Sequence, residues 1–223
     1  MKKRFFVNVV IISLMLFFTI SVDTIDTVYA RELKDNQRFD EKVRAFLDNH
    51  KYRWQDMNVP GSDGKVLYDL IIKNNYKNAL EIGTSTGHSA IWMAWALSKT
   101  GGKLITLEIN EYRYQKALEN FKKAGLSNYI DARLGDAHEM VPKLKGPFDF
   151  IFVDADKDWY TRYLKLLLPK LKKGGCFTAH NVLNVFIRGI KEFRDYLERV
   201  PNLETTILRS SRSGVSVSYK KSE

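Results

Sequence analysis

The 223 residues carry 36 Lys and Arg against 26 Asp and Glu, a formal charge of +10, and 44% of positions are hydrophobic. That length holds one sizeable α/β domain rather than two, and the apolar fraction excludes a disordered chain. A single cysteine, Cys176, excludes an internal disulfide; within the apolar run Gly175–Ala179 it reads as a buried structural thiol. The basic residues are spread along the chain without a dense Lys/Arg block interleaved with aromatics, so the charge reads as a solvated face and not a nucleic-acid footprint.

The N-terminus is a different material. Lys2-Lys3-Arg4 precede an almost wholly apolar stretch from Phe5 to Ser21, and Val28-Tyr29-Ala30 offers small residues where a signal peptidase reads. The pattern is that of a signal peptide over residues 1–30, cleaved after Ala30, which places the protein outside the cytoplasm, periplasmic or extracellular. Because the apolar run is close to the minimum for a membrane span, the alternative is an anchor through residues 5–21. Residues 31–223 then form one domain. Its opening segment, 31–56, includes an amphipathic helix from Arg31 to about Lys51, with Phe39, Val43, Phe46 and Leu47 at helical spacing.

Asn58-Val-Pro-Gly-Ser-Asp-Gly64 reads as turn chemistry, with a helix from Lys65 to Asn74. From there short apolar runs alternate with longer amphipathic ones. The strands are expected at Ala79–Ile82, Lys103–Glu108, Tyr129–Leu134, Phe148–Asp154 and Gly175–Ala179. Helices are expected at Ser89–Lys99, Glu111–Ala124, near Glu139–Leu144, and at Asp158–Leu171. After a helix at Val185–Arg199, Leu203–Leu208 and Val215–Tyr219 are joined by a Ser/Arg/Gly stretch and read as an antiparallel pair. Such alternation implies a mainly parallel sheet covered on both faces, with ligands at the carboxyl ends of its strands.

Four strand ends carry candidate chemistry. Glu81-Ile-Gly-Thr-Ser-Thr-Gly-His-Ser89 runs from strand to helix through Gly83 and Gly87, where backbone can approach a ligand; the middle glycine of a dinucleotide fingerprint is absent, which weakens a nicotinamide reading. Glu108 ends the next strand, where an acid accepts from ribose hydroxyls. Gly135-Asp136-Ala137 follows the third strand, and Asp136 either accepts from an amino group or caps the short helix behind it. Asp154-Ala-Asp156-Lys157 and His180-Asn181 end the fourth and fifth strands, an oxygen-rich group with a lysine that could hold a divalent cation and a base.

Together these places resemble the cation-dependent O-methyltransferases, the family of the catechol and caffeoyl-CoA enzymes and their bacterial relatives. The resemblance runs from about Met57 to Lys220 and also takes in Met57-Asn-Val59, Ile105–Asn110, Phe152–Lys157 with Tyr160, and Gly174 to Leu183. It implies a Rossmann-like class I methyltransferase fold, an α/β architecture with a seven-stranded, mostly parallel sheet whose last strand is antiparallel. The implied activity is O-methylation by S-adenosylmethionine of a small catechol- or phenol-like acceptor. By position, Val59, Glu81, Gly83, Thr84, Ser89, Glu108, Ile109, Asp136, Ala137 and Asp154 would contact the donor. Asp154, His180 and Asn181 would be metal ligands, Lys157 the base, and His180 a second catalytic group.

One departure stands out. The family usually carries Asp-Asn at the fifth strand end, where this chain has His180-Asn181. Three readings follow: His180 ligates a softer transition metal, His180 serves as acid or base without metal, or His180 is structural and the site is altered. Other functions stay open at this point. A tRNA-modifying methyltransferase fits the charge but not the leader. A non-catalytic S-adenosylmethionine-binding module fits an exported chain that lacks a donor supply. A homodimer is the family's habit, undecided by these residues.

Overall fold

A strand covered on both faces carries an unbroken apolar run, and β4 (Phe148–Val153), buried at every residue, therefore marks the centre of the sheet. The structure is a computed structural model that describes residues 27–51, 54 and 56–221. The expected leader, residues 1–30 with the apolar run at 5–21, lies outside the described residues apart from 27–30. Among the described residues no helix is long and apolar enough to cross a membrane.

The chain divides into two units, Met1–Ala45 and Phe46–Glu223. The described part of the first, residues 27–45, is helix; helix α1 continues to residue 50 as the opening of the second. In the second unit the elements run α2 (Gly61–Asn74), β1 (Asn78–Ile82), α3 (His88–Thr100), β2 (Lys103–Glu108), α4 (Glu111–Ala124), β3 (Ile130–Leu134), α5 (Ala137–Lys143), β4, α6 (Tyr160–Leu167), β5 (Leu171–His180), α7 (Arg188–Leu197), β6 (Leu203–Leu208) and β7 (Val215–Lys220).

The strand order is β3-β2-β1-β4-β5-β7-β6, parallel from β3 through β5, with β7 antiparallel to both its neighbours. Helices flank both faces of this class I methyltransferase fold. On one face Ile82, Ile151, Val153 and Phe177 pack against Tyr160, Leu164, Ile190 and Phe193 of α6 and α7. At the C-terminal end of α1, the Phe46 ring stacks on His50 at 4.2 Å, and Trp54 stacks on His88 of α3 at 4.4 Å.

Three elements differ from expectation, the first two for reasons of packing and backbone chemistry. The 58–64 turn is shorter than its composition suggests, because α2 starts at Gly61 directly after Pro60, whose φ of −60° suits a helix entrance. Gly64 is inside that helix for a packing reason: a Cβ there would lie 2.2 Å from Cδ1 of Trp92 on α3. The long helix expected at 158–171 is a short α6 flanked by 3₁₀ turns at Lys157–Trp159 and Leu168–Lys170, the second holding Pro169, which lacks an N–H to continue the ladder. Lastly, β5 reaches back to Leu171, four residues before the expected start.

The sheet order reverses between β1 and β4, and their carboxyl ends open a crevice there. Gly83 closes β1 at φ +98°, and a Cβ on it would lie 2.4 Å from the Asp154 carbonyl oxygen at the end of β4. Both the dihedral and the contact demand glycine. Gly83→Ala is expected to destabilise the chain by at least about 2 kcal/mol from left-handed backbone strain plus overpacking. A urea titration measures this, and an unchanged midpoint would refute the close-approach argument.

Candidate functional site

A cavity of about 670 Å³ lies over the carboxyl ends of β1 to β5. Its wall includes Gly83, Glu108, Ile109, Asp136, Ala137, Asp154, Lys157, His180 and Asn181, so the expected site residues converge from five strands. Val59, Glu81, Thr84 and Ser89 do not line it; all four are buried behind it.

Their work is structural support. Thr106 on β2 and Ser89 on α3 each donate to the Glu81 carboxyl group at 2.5 Å, and the Thr84 hydroxyl meets that of Thr106 at 2.5 Å. This chain of hydroxyls ties the loop after β1 to its neighbours from the rear. Val59 offers its carbonyl to the Nδ1–H of His88 at 2.7 Å, and Nε2 of the same ring accepts from Trp92 at 3.1 Å. Burial therefore holds His88 low, at about 4, and it acts as a neutral strut.

Glu108 faces the cavity and also organises it. Its two oxygens accept from the backbone N–H groups of Ser85 (2.7 Å) and Asn110 (2.9 Å), which leaves each oxygen capacity for one further donor. Asp136 caps α5 through the His138 N–H at 2.8 Å, so the capping role is realised at a residue that also lines the cavity. His138, not singled out in the sequence, adds an aromatic wall: it stacks on Trp159 with centroids 3.6 Å apart and planes at 10°. Across the mouth Arg113 pairs bidentately with Asp56, at 2.6 and 3.0 Å, while Asn58 donates to Thr86 at 2.7 Å. These hold Met57, Asn58 and Pro60 at the rim.

The other half of the cavity is built from charge. Lys157 donates to Asp154 Oδ1 at 2.7 Å and to the Ala155 carbonyl at 3.0 Å, with its Nζ 5.3 Å from the ring centre of buried Tyr160. His180 bridges two acids: Nδ1 to Asp154 Oδ2 at 3.0 Å and Nε2 to Asp63 Oδ2 at 2.8 Å. Asp63 also accepts from Ser210 (2.5 Å) and Ser211 (2.6 Å) in the connection between β6 and β7. Asn181 follows in a left-handed conformation, φ +61°, at the cavity wall.

The electrostatics follow from those contacts. Burial by itself would lower the His180 pKa; hydrogen bonds and charge from Asp154 and Asp63 overcome it and raise it to about 9. For Asp154, burial pushes upward, and the hydrogen bond and charge of His180 with the Lys157 ammonium outweigh it and hold the carboxyl below its ordinary range. Asp63 behaves alike, with burial opposed by His180, Ser210 and Ser211.

This donor set does not fit a divalent cation. Both ring nitrogens of His180 are directed to carboxylate oxygens, and each oxygen of Asp154 already receives a nitrogen donor. A metal-bound imidazole needs a free nitrogen lone pair. Among the described residues no group of three or more His, Cys, Asp or Glu is arranged to hold a metal ion. Asp63, Ser210 and Ser211 escaped the sequence reading because they sit in segments that look like turn and linker; the one usable signal was an acid three residues after Pro60, in the first turn of a helix.

Comparison with known proteins gives the chain its family. A family model described as O-methyltransferase matches residues 32–195. A catechol O-methyltransferase of Niastella koreensis is 41% identical over 131 residues, covering 57% of this chain and 59% of that protein. Caffeoyl-CoA O-methyltransferase 1 of Eucalyptus globulus is 39% identical over 138 residues, covering 60% and 56%. The aligned region thus spans less than two thirds of these relatives' own length. Among solved structures, an O-methyltransferase from Bacillus cereus in complex with SAH matches with a TM-score of 0.71 at 28% identity, covering 81% of this chain and 91% of that one.

The Glu81 strut carries a pH signature. Burial pushes its carboxyl up to about 8, against the hydrogen bonds of Ser89 and Thr106 that pull it down. In the unfolded chain it ionises near its ordinary 4.5, so between there and about 8 the unfolded state binds fewer protons and folding stability falls as pH rises. Thermal denaturation from pH 5 to pH 8 is expected to show a steeper decline for the native sequence than for Glu81→Gln. Parallel declines would show that the carboxyl is ionised in the fold.

Proposed function

Because the chain belongs to the O-methyltransferase family, we propose that it transfers the methyl group of S-adenosylmethionine to a hydroxyl of a small catechol- or phenol-like acceptor. The observation that carries this reading is that one cavity wall brings together Gly83, Glu108, Asp136 and Ala137 with Asp154, Lys157, His180 and Asn181. The donor supplies a methyl already activated on a sulfonium, so the protein has to align an oxygen with it and remove a proton.

The donor side is arranged for a nucleoside. Glu108 keeps one acceptor position on each oxygen for ribose hydroxyls, held by the two backbone N–H groups behind it. Ala137, His138 and Ile109 offer apolar and aromatic wall for a base. Gly83 lines the cavity at the β1–β4 switch point, with its backbone close against Asp154.

On the acceptor side Lys157 takes the hydroxyl proton. The ammonium first gives up one proton to solvent; the amine then spends its two N–H bonds on Asp154 and the Ala155 carbonyl and turns a lone pair to the acceptor. As the acceptor O–H bond breaks toward Nζ, an O–C bond forms to the methyl and the C–S bond of the sulfonium breaks, its electron pair passing to sulfur. The positive charge lost at sulfur reappears on Lys157 beside Asp154.

Two variants test the assignment separately. Lys157→Ala is expected to lower kcat on catechols or phenols by about 100-fold or more while donor affinity holds. Glu108→Ala is expected to weaken binding of S-adenosylmethionine by about tenfold to 100-fold, read by calorimetry. Donor binding without methyl transfer to any catechol or phenol would overturn the catalytic reading.

A further inference from the structure

His180 spends both ring nitrogens on carboxylates, which no role in binding the acceptor requires. Carboxylates only accept, so both nitrogens donate and the ring is a cation. It is 4% exposed, yet one edge belongs to the cavity wall beside Lys157 and Asn181. In the resting site, with Lys157 still an ammonium, two positive groups, His180 and Lys157, stand against two negative ones, Asp63 and Asp154, in a neutral cluster. The anchoring is built from three segments distant in the chain: Asp63 lies 117 residues from His180, and 147 and 148 residues from Ser210 and Ser211. All three donors to Asp63 come from outside its own helix, which fixes the ring's far nitrogen from behind.

We propose that the His180 ring, clamped between Asp63 and Asp154, stands in the place of a divalent cation, so that this chain methylates its acceptor without a metal. The proposal rests on the methyl-transfer reading above and adds what orients the oxygen. In place of a cation gripping two neighbouring oxygens, the acceptor meets the positive charge of the ring and the one position on Lys157 Nζ left after Asp154 and Ala155. A ring with no free nitrogen offers no ligand to a second hydroxyl. Recognition is therefore of one oxygen, and a vicinal diol is not required.

The test uses the full chain purified without chelator. Its metal content is measured, and Mg²⁺, Mn²⁺ and Zn²⁺ are then titrated calorimetrically into the native chain and His180→Asp, each saturated with S-adenosylhomocysteine. Methyl transfer is followed before and after EDTA. The expected result is substoichiometric metal, no saturable uptake by the native chain, turnover unaltered by EDTA, and a new divalent site in His180→Asp. One divalent ion taken up per native chain, or turnover abolished by chelation, overturns the proposal. So does a His180→Asp chain that still binds S-adenosylhomocysteine and gains no ion. The native-chain measurements decide the matter even if the variant does not fold. Failure of the native chain to bind S-adenosylhomocysteine would instead refute the donor reading, while the metal titration still reports on His180.

Discussion

Burying an imidazolium between Asp63 and Asp154 brings α2, β4 and β5 to a common point, and the acceptor half of the cavity takes its shape from that bond. Ion pairs taken out of water gain little net stability, since desolvation offsets most of the attraction. What they enforce is geometry, because an unpaired buried charge costs several kcal/mol and every displaced arrangement leaves one. Ser210 and Ser211 add a donor to each oxygen of Asp63, and Lys157 occupies the other oxygen of Asp154. The position of Lys157 in this way depends in part on Asp63, Ser210 and Ser211, which do not line the cavity.

The donor half is held by different physics. Gly83 and Thr84 return their N–H groups to the Leu107 carbonyl at 3.0 and 3.2 Å, and Gly135 donates to the Glu108 carbonyl at 2.8 Å. Backbone hydrogen bonds between neighbouring strand ends therefore set the loops, and buried Glu81 locks them from the rear. Little in this half depends on a side chain from a distant segment.

That contrast explains what the sequence reveals. Strand ends after short apolar runs are legible because period and length suffice to find them, and β2, α4 and β6 fall on their expected bounds. Gly83, Glu108, Asp136, Asp154 and Lys157 follow by position. Glu81 and Ser89 are legible as polar residues in the right loop, but nothing local tells whether a polar side chain turns toward the cavity or away from it. Asp63 is the clearest case of what local pattern hides. Its neighbours Gly61, Ser62 and Gly64 advertise a turn, whereas Gly64 is glycine because Trp92 needs the room. The significance of His180 was legible only as an oddity, since its two partners are 26 and 117 residues away.

The halves meet in one residue. The Asp154 carbonyl packs against Gly83, and its N–H donates to the Ile82 carbonyl at 2.9 Å, so its backbone belongs to the donor side. Its carboxylate receives Lys157 and His180, so its side chain belongs to the acceptor side. A rigid strand end thus transmits position between the two. Any shift of Asp63 or of the β6–β7 connection reaches Asp154 through the His180 ring, and from there reaches Gly83 across a gap too narrow for a methyl group. In-line attack tolerates little misplacement of the reacting oxygen, and a central strand end fixed from both sides meets that demand without a metal to impose it.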